Sequence, residues 1–528
     1  MPATPEIASG TSVTYETVIG LEIHVQLKTR AKVFAPSAYL HGGALPENAE
    51  ATQIPPNTLI DPVVLALPGA LPVLNRAALE QAVRFGLLTG AAYPADADYT
   101  TSWDRKNYFY PDSTKAYQIT QKDHPISPGG SVEIELPGPA RNIMGEHKII
   151  RLNHAHLEED VGKLTHAASG SLVDYNRAGA ALLEIVTEPD LRSSDEAVAL
   201  LNALRMLLSQ AGISDCDMEK GQMRCDANVS VRPLGQTTLN TRTEMKNLNS
   251  ISGVKNAIEY EARRQTREYE AGRSIEQETR AWNAETGRTY TLRSKEDAHD
   301  YRYFPDPDLM PARISPADTK RLSKTLPERP YERQRRYFDQ YQLPFTTTSV
   351  LIPDLPLCEY FEAAAAASTT GEAGQGASGA APPQASAITI ANLIANELLA
   401  HLSSVPEGTL ETFADKIPPA SIAGLAKLID SGHISKQQAK EVFAEMLVGG
   451  DPPAVIVERK GLRQNNDTEA IEKAILAVLA SPSAAKTILE FKSGNEKALN
   501  SLKGPVMKAT QGKANPKLVD EILRKHLA

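Results

Sequence analysis

Apolar and polar positions alternate strictly between Thr17 and Leu27, which predicts an extended strand. Leu21, Ile23, Val25 and Leu27 then face one way and Glu22, His24 and Gln26 the other. A second stretch, RLNHAHLEEDVGKLTH from Arg151 to His166, places His154, His156, Glu158 and Asp160 on one face if it is extended. A third, EKGQMRCDANVSVRP from Glu219 to Pro233, sets Cys225, Ala227, Val229 and Val231 against Arg224, Asp226, Asn228, Ser230 and Arg232. A strand with so many polar groups on one side lines a cleft or meets solvent.

Between these stretches the period lengthens to that of helices. Asn75 is placed to cap a helix from Arg76 to Thr89, with Leu79, Val83 and Leu87 inward and Gly90 as its stop. Ala181 to Val186 reads as a buried strand ended by Glu188, Pro189 and Asp190. Ser193 and Glu196 form a capping box for a helix whose apolar face is Val198, Leu201, Leu204 and Leu208, ending at Gly212. A further helix starts near Ser250, with Val254, Ile258 and Ala262 inward and Gly272 after its end. ITIANLIANELLAHL and SIAGLAKLIDSGHISKQQAKEVFAEML predict an all-helical C-terminal region. Ala363 to Ala387 is low in complexity and poor in apolar bulk, which predicts a disordered insertion.

At 528 residues the chain is long enough for two to four domains, each with its own core. Its three cysteines, Cys216, Cys225 and Cys358, are too few and scattered for a disulfide framework or a thiolate zinc site, and they point to a reducing compartment. No apolar run reaches membrane-spanning length, and the first residues carry neither a secretory apolar core nor a transit peptide's arginines. The expectation is a cytoplasmic protein that does not engage a membrane, with the mitochondrial matrix after presequence removal as the alternative. A net charge of -9 argues against coating nucleic acid with the whole surface. From Lys486 to Lys525, however, nine Lys plus Arg stand against four Asp plus Glu, which reads either as an RNA grip or as a solvated lysine face.

The polar strand faces carry the candidate chemistry. Glu22 and His24, two residues apart on a strand, suit a divalent ion with oxygen-rich ligands, although a half-exposed strand shows the same pattern. His154 and His156 could hold zinc, but the surrounding carboxylates favour a harder ion such as magnesium. Lys246, Asn247 and Asn249 precede the helix start at Ser250, a natural phosphate position. In DRKNYFYPDSTKAYQITQ, basic residues interleave with Tyr108, Phe109, Tyr110 and Tyr117, which either stack on a base or pack as a hairpin. No P-loop is present, and the Gly374, Gly376, Gly379 match to a dinucleotide fingerprint has no strand before it. Without an amidase or glutaminase signature, any amide chemistry must draw its ammonia from another chain.

Ten ordered motifs, VIGLEIHVQLKTRAKVF, LPGALPVLN, DRKNYFYPD, KAYQITQ, HLEEDVGK, SLVDYNRAG, LLEIVTEPDLRS, MRCDANVSVRP, EMKNLNS and DYRYFPDPDL, resemble the B subunits of tRNA-dependent amidotransferases (GatB). GHISKQQAKEVFAEM and GPVMKATQGKANPKLVDEIL are similar to the YqeY-like tail of that family. The resemblance implies an α+β fold: a cradle-shaped catalytic domain over residues 12–310, a helical domain over 311–445 carrying the insertion at 363–387, and a tRNA-binding tail over 446–528. It implies phosphorylation of the side-chain carboxylate of Glu-tRNA(Gln) or Asp-tRNA(Asn) with ATP and Mg2+. Ammonia from the amidase partner GatA then displaces phosphate, with the small subunit GatC completing a heterotrimer.

Carried onto this chain, the family's metal ligands and catalytic residues fall on Glu22, His24, Glu158 and Asp226, and ATP contacts on Lys163, Arg177, Lys246, Asn247 and Asn249. Asp61, Pro62, Val63 and Val64 stand where many relatives have Cys-Pro-Val-Cys, so a thiolate metal site there is ruled out. The Asn153 to Ala155 segment also departs from the pattern, which leaves His154 without a carried-over role. A non-catalytic tRNA-binding subunit would explain the basic tail but not four ligand-type residues sharing a cleft. A stand-alone metal-dependent hydrolase would explain the cleft but would turn over without ATP.

Overall fold

The computed structural model describes residues 13–39, 54–294, 301–369, 386–405, 409–463 and 468–527, the last with breaks at 483, 494, 497 and 511–513. The chain separates into two compact units, residues 1–330 and 331–528.

The first unit runs β1 (Tyr15–Gln26), α1 (Arg76–Thr89), β2 (Tyr99–Thr101), β3 (Asp104–Asn107), β4 (Tyr117–Thr120), β5 (Ser127–Pro128), β6 (Ser131–Glu135) and β7 (His147–Glu159). It continues with β8 (Lys163–Ala167), β9 (Gly170–Asp174), β10 (Ala181–Thr187), α2 (Ser194–Gln210), β11 (Met223–Pro233), β12 (Thr243–Leu248), α3 (Ile251–Glu270), β13 (Glu278–Asn283) and β14 (Arg288–Ser294). Among these, β14-β13-β12-β11-β1-β10-β7-β5 form a sheet, with β6 also pairing β7. The pairs are antiparallel except β12 with β13.

β1 sits at the centre because its alternation is complete. Leu21, Ile23 and Val25 are buried on the face that meets the helical layer, where α3 lies against β11 and β12 and α2 lies against α3. The opposite face carries the charged residues. In register, Glu22 opposes Asp226, while His24 lies between Arg224 on β11 and Glu184 on β10. Glu184 in turn opposes His156 on β7. The sheet thus gathers polar residues from four distant stretches onto one surface.

Local sequence signals hold at the helix ends. The Asn75 side chain accepts the Ala77 N–H, and Gly90 closes α1 in the left-handed region at φ 75°. The buried side of α1 is Ala78, Ala82, Val83, Phe85 and Leu88, whereas the predicted Leu79 and Leu87 are only half-buried. Small alanines let the helix approach closely, so its contact face is rotated from the leucine stripe. Ser193 accepts the Glu196 N–H, but the predicted reciprocal bond is replaced: the Glu196 carboxylate accepts from the Arg192 N–H at 2.7 Å and Lys148 at 2.8 Å.

Gly86 gives a test of this packing. A Cβ there would lie 2.4 Å from Tyr93 Oη and 2.7 Å from Ser127 Oγ. Alanine's helix preference over glycine is about 1 kcal/mol, but overpacking costs about 1–3 kcal/mol. We expect Gly86→Ala to lower stability by about 1 kcal/mol in chemical denaturation, and a rise in stability would contradict the packing described.

The second unit is helical throughout its described residues. One hydrophobic core joins residues from Tyr337 to Val457 and another joins Ile471 to Leu527. The core of the tail therefore begins some way after the expected boundary at 446, which falls inside the helix Lys436–Gly449. The expected insertion also starts later than residue 363. Ala363 to Thr369 belong to the helix Leu355–Thr369, with Ala364 and Ala365 buried in the first of these cores. Low apolar bulk does not bar packing here, because alanine is the strongest helix former and its small side chain admits a close neighbour. Residues 370–385, with the Gly374, Gly376 and Gly379 match, lie outside the described residues.

Candidate active site

A cavity of about 390 Å³ opens on the polar face of the sheet. Its lining intersperses His24, Glu158, Asp160 and Asp226 with the cations Lys106, Arg224 and Lys246. Tyr108, Gln118, Asn247, Asn249 and Tyr301 complete the rim.

The ligand-type atoms of His24, Glu158 and Glu184 lie within 4.8 Å of one another. His24 Nε2 stands 3.3 Å from Glu184 Oε2 and 3.9 Å from Glu158 Oε1. His156 Nε2 stands 3.2 Å from Glu184 Oε2 and 3.7 Å from Glu158 Oε2. On its other side His156 Nδ1 meets His154 Nε2 at 3.2 Å, and His154 Nδ1 meets Asn153 Oδ1 at 2.7 Å. Burial alone would push the His24 and His156 imidazoles down, but the neighbouring Glu184 and Glu158 carboxylates outweigh it and raise both. Burial likewise pushes the Glu184 carboxyl up, and the two imidazoles overcome this to hold it well below the usual carboxylate range. His154, away from the carboxylates, is pushed down to about 4 by burial and by its neighbour His156.

Two carboxylates and an imidazole are an appropriate set for a divalent ion, and one atom argues for it directly. Glu158 is 2% exposed, yet its Oε2 has no hydrogen-bond partner. A buried carboxylate oxygen without a donor is costly and calls for a cation.

Of the residues expected at the site, His24, Glu158, Asp226, Lys246, Asn247 and Asn249 line the cavity. Asp226 Oδ2 is 2.6 Å from Lys246 Nζ, which also reaches Glu244 at 3.0 Å. Asn247 sits in the left-handed region at φ 63°, a conformation that asparagine tolerates better than most residues. Glu22 lies one register step along β1, where Asn228 donates to its Oε1 at 2.9 Å. Burial, then Glu184, push its carboxyl up. Glu22 borders a smaller neighbouring cavity of about 150 Å³.

Lys163 and Arg177 do not line the main cavity. Lys163 begins β8, which pairs with β9 as a separate exposed hairpin after the chain leaves the sheet beyond Glu159. Arg177 donates to the carbonyls of Val161 and Gly162 and lies 3.6 Å from Asp160, so it braces the cavity wall from behind.

The expected hairpin at Asp104 to Gln121 is formed by β3 and β4. Its tip does not pack, however: Phe109 is 69% exposed, and the Tyr108 and Tyr110 rings stack on each other at 4.9 Å. Glu184 is the main site residue that sequence reading misses. Its signal is present, as the sole charged residue in the buried run ALLEIVT and on the same alternation phase as its cavity-facing partners.

A family model described as the GatB/GatE catalytic domain matches residues 17–320, and one described as the GatB domain matches residues 380–527. Three similar proteins are each named as the B subunit of an aspartyl/glutamyl-tRNA(Asn/Gln) amidotransferase. The one from Opitutus terrae is 52% identical over 98% of this chain and 100% of its own length. That from Synechococcus sp. is 42% identical over 99% of both chains, and that from Geobacillus kaustophilus 42% over 97% of this chain and 98% of its own. A mixed sheet with a carboxylate–imidazole cleft, followed by a helical region, is the architecture of an α+β catalytic subunit with an appended helical module. The chain belongs to the GatB family of amidotransferase B subunits. No helix among the described residues is long and apolar enough to cross a membrane.

Proposed function

We propose that this chain activates the side-chain carboxylate of Glu-tRNA(Gln), Asp-tRNA(Asn) or both, and then converts it to the amide. The carboxylate oxygen attacks the γ-phosphorus of ATP and ADP leaves. Ammonia next attacks the acyl carbon, phosphate leaves and a proton is released. This order is required chemically, because a free carboxylate is a poor electrophile and an acyl phosphate carries a competent leaving group. The observation that carries the reading is the cleft of this chain, where carboxylates and cations line one cavity, in a sequence 52% identical over 98% of its length to an amidotransferase B subunit.

Within that cleft His24, Glu158 and Glu184 would hold Mg2+, with Glu22 and Asp226 flanking them on the same sheet face. The ion supplies charge neutralisation for transferring phosphoryl oxygens when bound. His156 orients Glu184 and Glu158 from behind. Lys246, fixed between Asp226 and Glu244, and the amides of Asn247 and Asn249 offer donors to a nucleotide's phosphates beside the start of α3. Lys163 and Arg177 contribute from outside the cavity, Arg177 through Asp160.

Ammonia reaches the chain from the glutaminase subunit GatA, with GatC completing the heterotrimer, and the basic helical end over residues 446–528 grips tRNA. The protein works in the cytoplasm. The test is ADP release by the reconstituted three-subunit complex with and without misacylated tRNA, following amidated product in parallel. ADP and Gln-tRNA or Asn-tRNA are expected together and only with misacylated tRNA. Binding of tRNA without ADP would reduce the chain to a binding subunit.

A further inference from the structure

Three cations line the cavity in different states. Lys246 is neutralised by Asp226 and Glu244. Lys106 has no carboxylate within ion-pair distance among the described residues, and its ammonium lies 4.8 Å from the centre of the Tyr301 ring. Arg224 is held at one corner of its guanidinium and is otherwise uncommitted. It lies directly across the β1/β11 ladder from His24, and its Nη2 is 2.9 Å from Asp160 Oδ2.

Asp160 is itself immobilised. It is buried, and it accepts from the Gln26 side-chain amide at 2.8 Å and the Val161 N–H at 2.9 Å, with Arg177 at 3.6 Å. Tyr39 donates in turn to Gln26 at 2.6 Å. A chain of four polar residues thus fixes one corner of the Arg224 guanidinium. The rest of the fork is uncommitted: Nε is buried without a partner, and the side chain is 37% exposed where it lines the cavity. A single buried ion pair would not need a guanidinium with spare donors facing a cavity. An oxyanion ligand would use them.

We propose that Arg224 binds the side-chain carboxylate of the aminoacyl group that is to be amidated, and presents it toward the His24, Glu158 and Glu184 group. The inference rests on the amidotransferase reading above. A planar carboxylate matches a rigid guanidinium fork, whereas a tetrahedral phosphate is served as well by the point charges of Lys106 and Lys246. Both oxyanions enter this cavity, so the test separates them.

Arg224→Lys and Arg224→Ala are introduced into the reconstituted complex, and KM is measured separately for misacylated tRNA and for ATP. In both variants the KM for misacylated tRNA is expected to rise by about ten- to a hundredfold, the range of a lost charge-assisted hydrogen bond. The KM for ATP stays within about twofold, and added guanidinium chloride restores part of the activity of Arg224→Ala. Lysine keeps a cation beside Asp160, so Arg224→Lys decides the matter if the alanine variant does not fold. A wild-type KM for tRNA in Arg224→Lys would make Arg224 only the counter-charge of Asp160. A KM for ATP that rises as far as that for tRNA would make it a phosphate ligand, and either result overturns the proposal. A wild-type complex that forms no ADP with misacylated tRNA refutes the amidotransferase reading and this inference with it, a failure seen before any variant is made.

Discussion

Replacing Glu158 by glutamine is expected to lower amidation of misacylated tRNA by about a thousandfold, the scale of losing one essential charge-stabilising group in an active site. Glutamine keeps the volume of this buried side chain, so the sheet around it should survive. What changes is charge. Glu158 faces two imidazoles, at 3.9 Å from His24 and 3.7 Å from His156, and its Oε2 has no donor. An amide in its place removes half of the carboxylate charge of the His24, Glu158 and Glu184 group and presents an N–H where a cation would be held. Product formation and thermal melting should be followed on the same preparation, across a magnesium titration. Amidation within about threefold of wild type, with melting unchanged, would remove Glu158 from the catalytic group.

The second large effect is on stability. Asp160→Asn should destabilise the first unit by about 2–4 kcal/mol, read as a shift in the denaturation midpoint. Asp160 gathers Arg224, Gln26, Arg177 and the Val161 N–H around one buried carboxylate. Burial pushes its carboxyl up, but Arg224 and Arg177 overrule this and hold it below the usual range, so the group is an anion that its surroundings require. An asparagine leaves two guanidinium groups without their counter-charge. The estimate lies at the lower end for a broken buried pair because Arg224 opens onto the cavity, where water screens part of the loss. A change below about 0.5 kcal/mol would show that Gln26 and the backbone hold this corner without the charge.

These two residues show why the site is partly legible in the sequence. Glu158 and Asp160 lie in a stretch whose alternation exposes one polar face, and alternation is a local property that survives folding unchanged. The same holds for Glu22, His24, Arg224 and Asp226. Register is not local. Nothing in LLEIVT states that Glu184 will stand opposite both His24 and His156, because that depends on β1 and β7 flanking β10. Lys163 shows the limit of proximity along the chain. It follows the same polar stretch closely in sequence, but the chain leaves the sheet after Glu159 and enters an exposed hairpin, so nearness along the chain does not place it in the cavity. In the helical unit, composition alone discounts the alanine run at 363–369, whereas its packing depends on the closeness of a neighbouring helix.

The central place of β1 bears on how the molecule comes into being. β1 ends at Gln26, yet one neighbour, β10, starts at Ala181 and the other, β11, ends at Pro233. At about 5–20 residues per second of synthesis, the strand that carries Glu22 and His24 waits on the order of 10–40 s on the ribosome before both partners exist. Both hydrogen-bonding edges are open to other chains until β10 is made, and the edge that pairs with β11 stays open until Pro233. The first strand made therefore waits for partners that lie far along the chain, and the nascent chain depends on chaperones or slow collapse until more than two hundred residues have emerged.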